Sequence, residues 1–104
     1  MGKSNTDSGT ETQVKDKIKT HLPKLYKVIL LNDDYTSMDF VVSILESIFQ
    51  KSPAEAVQIM LAVHNKGKGV CGIYAKQIAE TKISQVERRA RAESFPLRCV
   101  MEEE

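Results

Sequence analysis

The apolar residues of this chain fall into short continuous runs and longer stretches with helical spacing. Leu25 to Leu31 contains Tyr26-Lys27-Val28-Ile29-Leu30-Leu31, rich in β-formers and short enough for a strand. A first helix is predicted from near Thr36 or Ser37, where Thr36 and Asp39 resemble a capping pair. Its apolar residues Phe40, Val41, Ile44, Leu45, Ile48 and Phe49 make one stripe. A second helix has the clearest start in the chain: Ser52 as cap, Pro53 at the first helical position and Glu55 completing a capping box. Ala56, Val57, Met60, Leu61 and Val63 carry it toward Gly67 and Gly69, which are expected to stop it. Val70-Cys71-Gly72-Ile73-Tyr74 reads as a second strand, and Lys76 to about Glu93 as a third helix with Ala79, Ile83, Val86 and Ala90 facing inward. Pro96 ends any helix, and Leu97 to Met101 forms a last strand running into an acidic end. The order β-α-α-β-α-β predicts an α+β domain, a three-stranded antiparallel sheet with three helices on one face.

Composition divides the chain before it says anything about chemistry. Residues 1 to about 20 are rich in Ser, Thr, Asp, Glu and Lys and have few large apolar side chains. They cannot bury enough surface to offset the entropy of ordering. Residues 1–22 are therefore expected to be a flexible extension and residues 23–104 one folded domain with a single modest core. At 41% apolar and 28% charged the composition is that of an ordinary globular protein. A net charge of +1 supplies no strong field for nucleic acid or an anionic membrane. No apolar stretch approaches the roughly 20 residues of a membrane span. The polar N-terminus has no signal-peptide core, and Cys71 and Cys99 lack the spacing of a disulfide framework or zinc site. A reduced cytoplasm is the expected location, with no metal or cofactor implied.

Asn32, Asp33 and Asp34 stand where the first strand turns into the first helix. Asn and Asp suit such turns because their side chains bond nearby backbone N–H groups. A calcium loop is excluded, since the glycine at loop position six and the glutamate at position twelve are missing. His64 lies four residues after Met60 and seven after Val57, so the three share a helix face. It is either a half-buried histidine bonded to a backbone carbonyl or a group facing the Asn-Asp corner, where neutral imidazole offers one acceptor. Cys71, with His64 as base and Asp34 as orienter, has the residue types of a nucleophile triad. Its place mid-strand among apolar neighbours favours a core cysteine.

Several separated motifs then match one family in order. Tyr26-Lys27-Val28-Ile29-Leu30-Leu31-Asn32-Asp33-Asp34-Tyr35-Thr36 is followed by Met60-Leu61-Ala62-Val63-His64, Gly67-Lys68, Cys71-Gly72, Ala79-Glu80-Thr81-Lys82 and Pro96-Leu97. Over about residues 25 to 101 the chain resembles the ClpS family, adaptors that hand N-degron substrates to the Clp AAA+ protease. The resemblance implies a non-enzymatic adaptor in which Asn32, Asp34 and His64 grip a free α-amino group. It implies an apolar pocket of Leu30, Thr36, Met38, Val41, Met60, Val63 and Leu97 for a first residue such as Leu, Phe, Tyr or Trp. Met38 would gate that pocket against β-branched residues. Ser37 stands where many members carry proline, and loss of the fixed φ is expected to loosen this loop and the gate.

The implied partner is the N-terminal domain of a ClpA/ClpC-type AAA+ unfoldase, met by Glu80, Thr81 and Lys82 of a monomeric adaptor. Gln77 replaces an acidic residue common at that surface, and the extension would be engaged during delivery. Two alternatives stay open beside this expectation. One is a structural or ribosome-associated module, because the small β-α fold resembles the C-terminal domain of the ribosomal stalk protein. The other is a Cys71-His64-Asp34 hydrolase.

Overall fold

The computed structural model describes residues 24–104; the expected extension, residues 1–22, lies outside the described residues. The elements are β1 (Leu25–Leu31), α1 (Met38–Ser47), α2 (Pro53–Lys66), β2 (Lys68–Ala75), α3 (Lys76–Ala92) and β3 (Arg98–Glu103). The strands form one antiparallel sheet in the order β2-β1-β3. This is the expected α+β architecture. The strand richest in β-branched and large apolar residues takes the centre, where both neighbours pair with it. Val28 and Leu30 join the apolar stripe of α1 and the inner residues of α2 and α3 in a single core cluster. The β1–β2 register slips between Val28 and Ile29, so that Val28 pairs with Gly72, Ile29 with Val70, and Cys71 is the extra residue.

The first helix start differs from its prediction. Ser37, in extended conformation at φ −72° and ψ 149°, is the cap, and its hydroxyl accepts the Phe40 N–H. Thr36 is drawn the other way, donating its hydroxyl to Asp33 at 2.7 Å. The Thr36/Asp39 pair therefore does not form. Ser37 holds a φ that proline would also adopt, and adds a hydroxyl acceptor that proline lacks. The second helix starts as predicted, with Ser52 and Glu55 exchanging both bonds of the capping box.

Gly67 ends α2 in the left-handed region at φ 90°, where a side chain is strained. Gly69 is no stop signal. It is a β2 residue on which α2 lies directly: an added Cβ would fall 2.8 Å from Val63 Cγ2 and 3.1 Å from the Ile59 carbonyl. α3 buries Ala79, Val86 and Ala90, mostly small side chains that let the helix sit close to the sheet. Lys82 on α3 reaches across to donate its ammonium to the Ile48 carbonyl at 2.8 Å, at the end of α1. The same ammonium sits over the rings of Phe49 and Tyr74. β3 begins one residue later than predicted and extends to Glu103, whose carboxylate pairs with Lys24. No helix among the described residues is long and apolar enough to cross a membrane.

Candidate functional site at the β1–α1 corner

Between the β1–α1 corner and α2 lies a cavity of about 430 Å³, within the range of small-ligand sites. Its walls are apolar: Met38 and Val41 from α1, Met60 and Val63 from α2. Its mouth is polar, with Asn32, Asp34 and His64 on the lining beside Asp33, Thr36 and Ser37. The periodicities explain the meeting. Val41 follows Met38 by three residues on α1, while Met60, Val63 and His64 follow one another at three- and one-residue steps on α2. Each helix thus presents one side to the groove.

Backbone bonds lock the two polar groups together. The Asn32 N–H donates to the Gly67 carbonyl at 3.0 Å, and the Gly67 N–H donates to the Val63 carbonyl at 3.0 Å. The residue that ends α2 therefore fastens the corner to the helical turn bearing His64. Reading Gly67 as a stop signal missed this tie, because its carbonyl's partner lies 35 positions earlier in the chain.

The corner's three acidic and amide residues have different jobs. Asp33 Oδ1 accepts the N–H groups of Tyr35 and Thr36 at 2.8 and 2.7 Å, and Oδ2 accepts the Thr36 hydroxyl. Partial desolvation pushes the Asp33 carboxyl up, but these three bonds outweigh it and hold it below its ordinary 3.8. Asn32, Asp34 and His64 are exposed. Among the described residues none of these three side chains has a hydrogen-bond partner. An amide oxygen, a carboxylate and an imidazole nitrogen are thus free at the lip of an apolar cavity. That combination suits a ligand bearing several N–H donors beside an apolar group.

Two expected pocket residues stand apart from the cavity lining. Leu30 is fully enclosed within the core cluster. Leu97 is buried and lines a separate cavity with Glu87 and Arg91 of α3 and Phe95. Thr36, Met38, Val41, Met60 and Val63 all line the site. Cys71 is fully buried away from it, and burial pushes its thiol well above the usual range. No Cys71-His64-Asp34 arrangement assembles. Among the described residues no group of three or more His, Cys, Asp or Glu could hold a metal ion.

Glu80 and Thr81 are exposed on α3, lining a shallow groove with Gln77, Ser84, Gln85 and Arg88. Lys82, the third residue of that expected surface, is partly buried, and its ammonium is engaged by the Ile48 carbonyl and the two aromatic rings.

Residues 21–100 match the family model of the ATP-dependent Clp protease adaptor protein ClpS. A ClpS adapter of Wolinella succinogenes is 54% identical, the match covering 92% of this chain and 94% of that one. One from Neisseria meningitidis is 50% identical over 99% of both chains. Among solved structures, Agrobacterium tumefaciens ClpS2 bound to L-phenylalaninamide superposes with a TM-score of 0.77 at 39% identity, covering 79% of this chain and 99% of that one. With most of its length matched by the family model and by half-identical relatives, this chain belongs to the ClpS family of adaptors of the ATP-dependent Clp protease.

Proposed function

We propose that this adaptor binds proteins by a free N-terminal bulky hydrophobic residue (Leu, Phe, Tyr or Trp) and delivers them to a Clp AAA+ unfoldase in the cytoplasm. The observation that carries the reading is the polar mouth on an apolar cavity: Asn32, Asp34 and His64, unpartnered among the described residues, stand over Met38, Val41, Met60 and Val63. An α-ammonium has three N–H donors and is largely charged at neutral pH. Three acceptors, one anionic, match it. The side chain of the same residue enters the apolar interior. The ligand in the Agrobacterium structure, L-phenylalaninamide, has both parts, a free α-amine and a bulky apolar side chain.

An acetylated or internal residue lacks the charged donors and would leave the acceptors unpaired, at roughly 1–3 kcal/mol each. Partner contact is assigned to exposed Glu80 and Thr81, facing the N-terminal domain of a ClpA/ClpC-type unfoldase. Lys82 supports that surface from beneath by tying α3 to the end of α1. The adaptor acts as a monomer without cofactor.

Titration with a peptide bearing a free N-terminal Phe and with its N-acetylated twin tests the reading. Binding of the first and at least tenfold weaker binding of the second is expected; equal affinity would falsify it.

A further inference from the structure

Among the described residues, Tyr35 is the most exposed large hydrophobic side chain, at 77%. The other two tyrosines, Tyr26 and Tyr74, pack against the core. A single exposed aromatic is unremarkable on a protein surface, but Tyr35 is not isolated. It lines the mouth of the cavity, and Met38, 43% exposed, lines the same rim three residues on. The ring also stands on a fixed base, because Asp33 holds both the Tyr35 and the Thr36 N–H.

The inference rests on the function proposed above. The α-carbon of a bound first residue carries three heavy substituents. The amine turns to Asn32, Asp34 and His64, and the side chain enters between Val41 and Met60. The carbonyl, at tetrahedral angles to both, is left to point out through the mouth, so the chain leaves past the rim. Tyr35 is on the lining of that mouth, and its side chain is largely exposed. We propose that Tyr35, backed by Met38, is a ledge for the second residue of the substrate and grades affinity by the apolar size of that residue. A Leu or Phe at the second position covers the Tyr35 ring, whereas Gly leaves it wet.

The test uses the full chain and three ligands: L-phenylalaninamide, which has no second residue, Phe-Gly-amide and Phe-Leu-amide. In the wild type, Phe-Leu-amide binds about two- to tenfold more tightly than Phe-Gly-amide, the scale of one aromatic–apolar contact. In Tyr35→Ala that ratio collapses toward one while L-phenylalaninamide is still bound, and Tyr35→Phe restores the ratio. A wild-type ratio of one, or a ratio that survives Tyr35→Ala, overturns the ledge and leaves the proposed function standing. Weakening of all three ligands alike in Tyr35→Ala also overturns it, because Tyr35 would then act on the first residue. Failure of the wild type to bind L-phenylalaninamide removes the function itself, and the ledge with it.

Discussion

The β1–α1 corner and the opening turns of α3 are both polar surfaces, yet the fold uses them differently. At the corner, Asp33 accepts three hydrogen bonds within its own turn, while the side chains of its neighbours Asn32 and Asp34 make none among the described residues. On α3, Lys82 is held by Ile48, Phe49 and Tyr74, and the Thr81 hydroxyl donates to the Gln77 carbonyl. Glu80 beside them makes no side-chain hydrogen bond among the described residues. At both places residues of similar chemistry divide into those whose bonding capacity the fold consumes and those it leaves free. The free ones at the corner converge on a cavity. The free ones on α3 face a shallow groove open to solvent. A small ligand with directed N–H donors fits the first arrangement, and a protein surface fits the second.

The sharpest way to break this comparison is to remove the two adjacent aspartates separately. Asp34→Ala should weaken binding of a free-amine Phe peptide by about tenfold to 100-fold, the loss of one bond to a charged group. Its melting temperature should stay within a degree or two of wild type, as read by calorimetry. Asp33→Ala should do the reverse in the first instance, lowering stability by about 1–3 kcal/mol through three lost hydrogen bonds. A small domain then melts roughly 4–8 °C lower per kcal/mol. If Asp34→Ala unfolds the chain and Asp33→Ala does not, the division of labour is wrong.

Gly67→Ala addresses the tie between corner and helix. The left-handed φ of 90° should make it destabilising by about 1–2 kcal/mol. Because Gly67 also holds the Asn32 N–H, peptide affinity should fall with stability, and an unchanged affinity would disconnect the two.

On α3, Lys82→Met should lower stability by about 1–2 kcal/mol by deleting a bond to a carbonyl and the cation–π contacts. Glu80→Ala should change stability by no more than about 0.5 kcal/mol while weakening unfoldase capture. Equal melting temperatures for the two variants would show that Lys82 is as free as Glu80.

The smallest effect is in pH. The Asp33 carboxyl is depressed in the folded state, so its contribution is complete above the ordinary value of 3.8 and is lost as pH falls through the folded value. The melting-temperature gap between wild type and Asp33→Asn should therefore be constant near neutrality and close on acidification below about 4. A gap that persists in acid would mean that hydrogen bonding to the carboxylate is not its source.

Much of this was legible in the residues. Ser52-Pro53-Glu55 announced α2 because a capping box is a local device, complete within four positions. The stripe from Phe40 to Phe49 announced α1 for a similar reason, since helical periodicity needs no partner to be seen. The first cap was misread because Thr36 and Ser37 are chemically alike, and only the pull of Asp33 on Thr36 decided between them. Leu30 and Leu97, expected in the pocket by resemblance, are buried residues off the cavity lining. Whether an apolar residue faces a pocket or the core behind it depends on packing that a motif does not carry.

By itself the sequence determined the elements, their order, the family and the residue types able to hold an ammonium group. Those follow from periodicity, capping and motif, all properties of neighbouring positions. Only the tertiary structure decided which side chains remain available. It sealed Leu30 and Cys71 in the core, engaged Lys82 at the end of α1, and left Asn32, Asp34 and His64 together at one mouth. The physical reason is that hydrogen-bonding capacity is finite, and whether the fold uses it depends on contacts made across the whole chain.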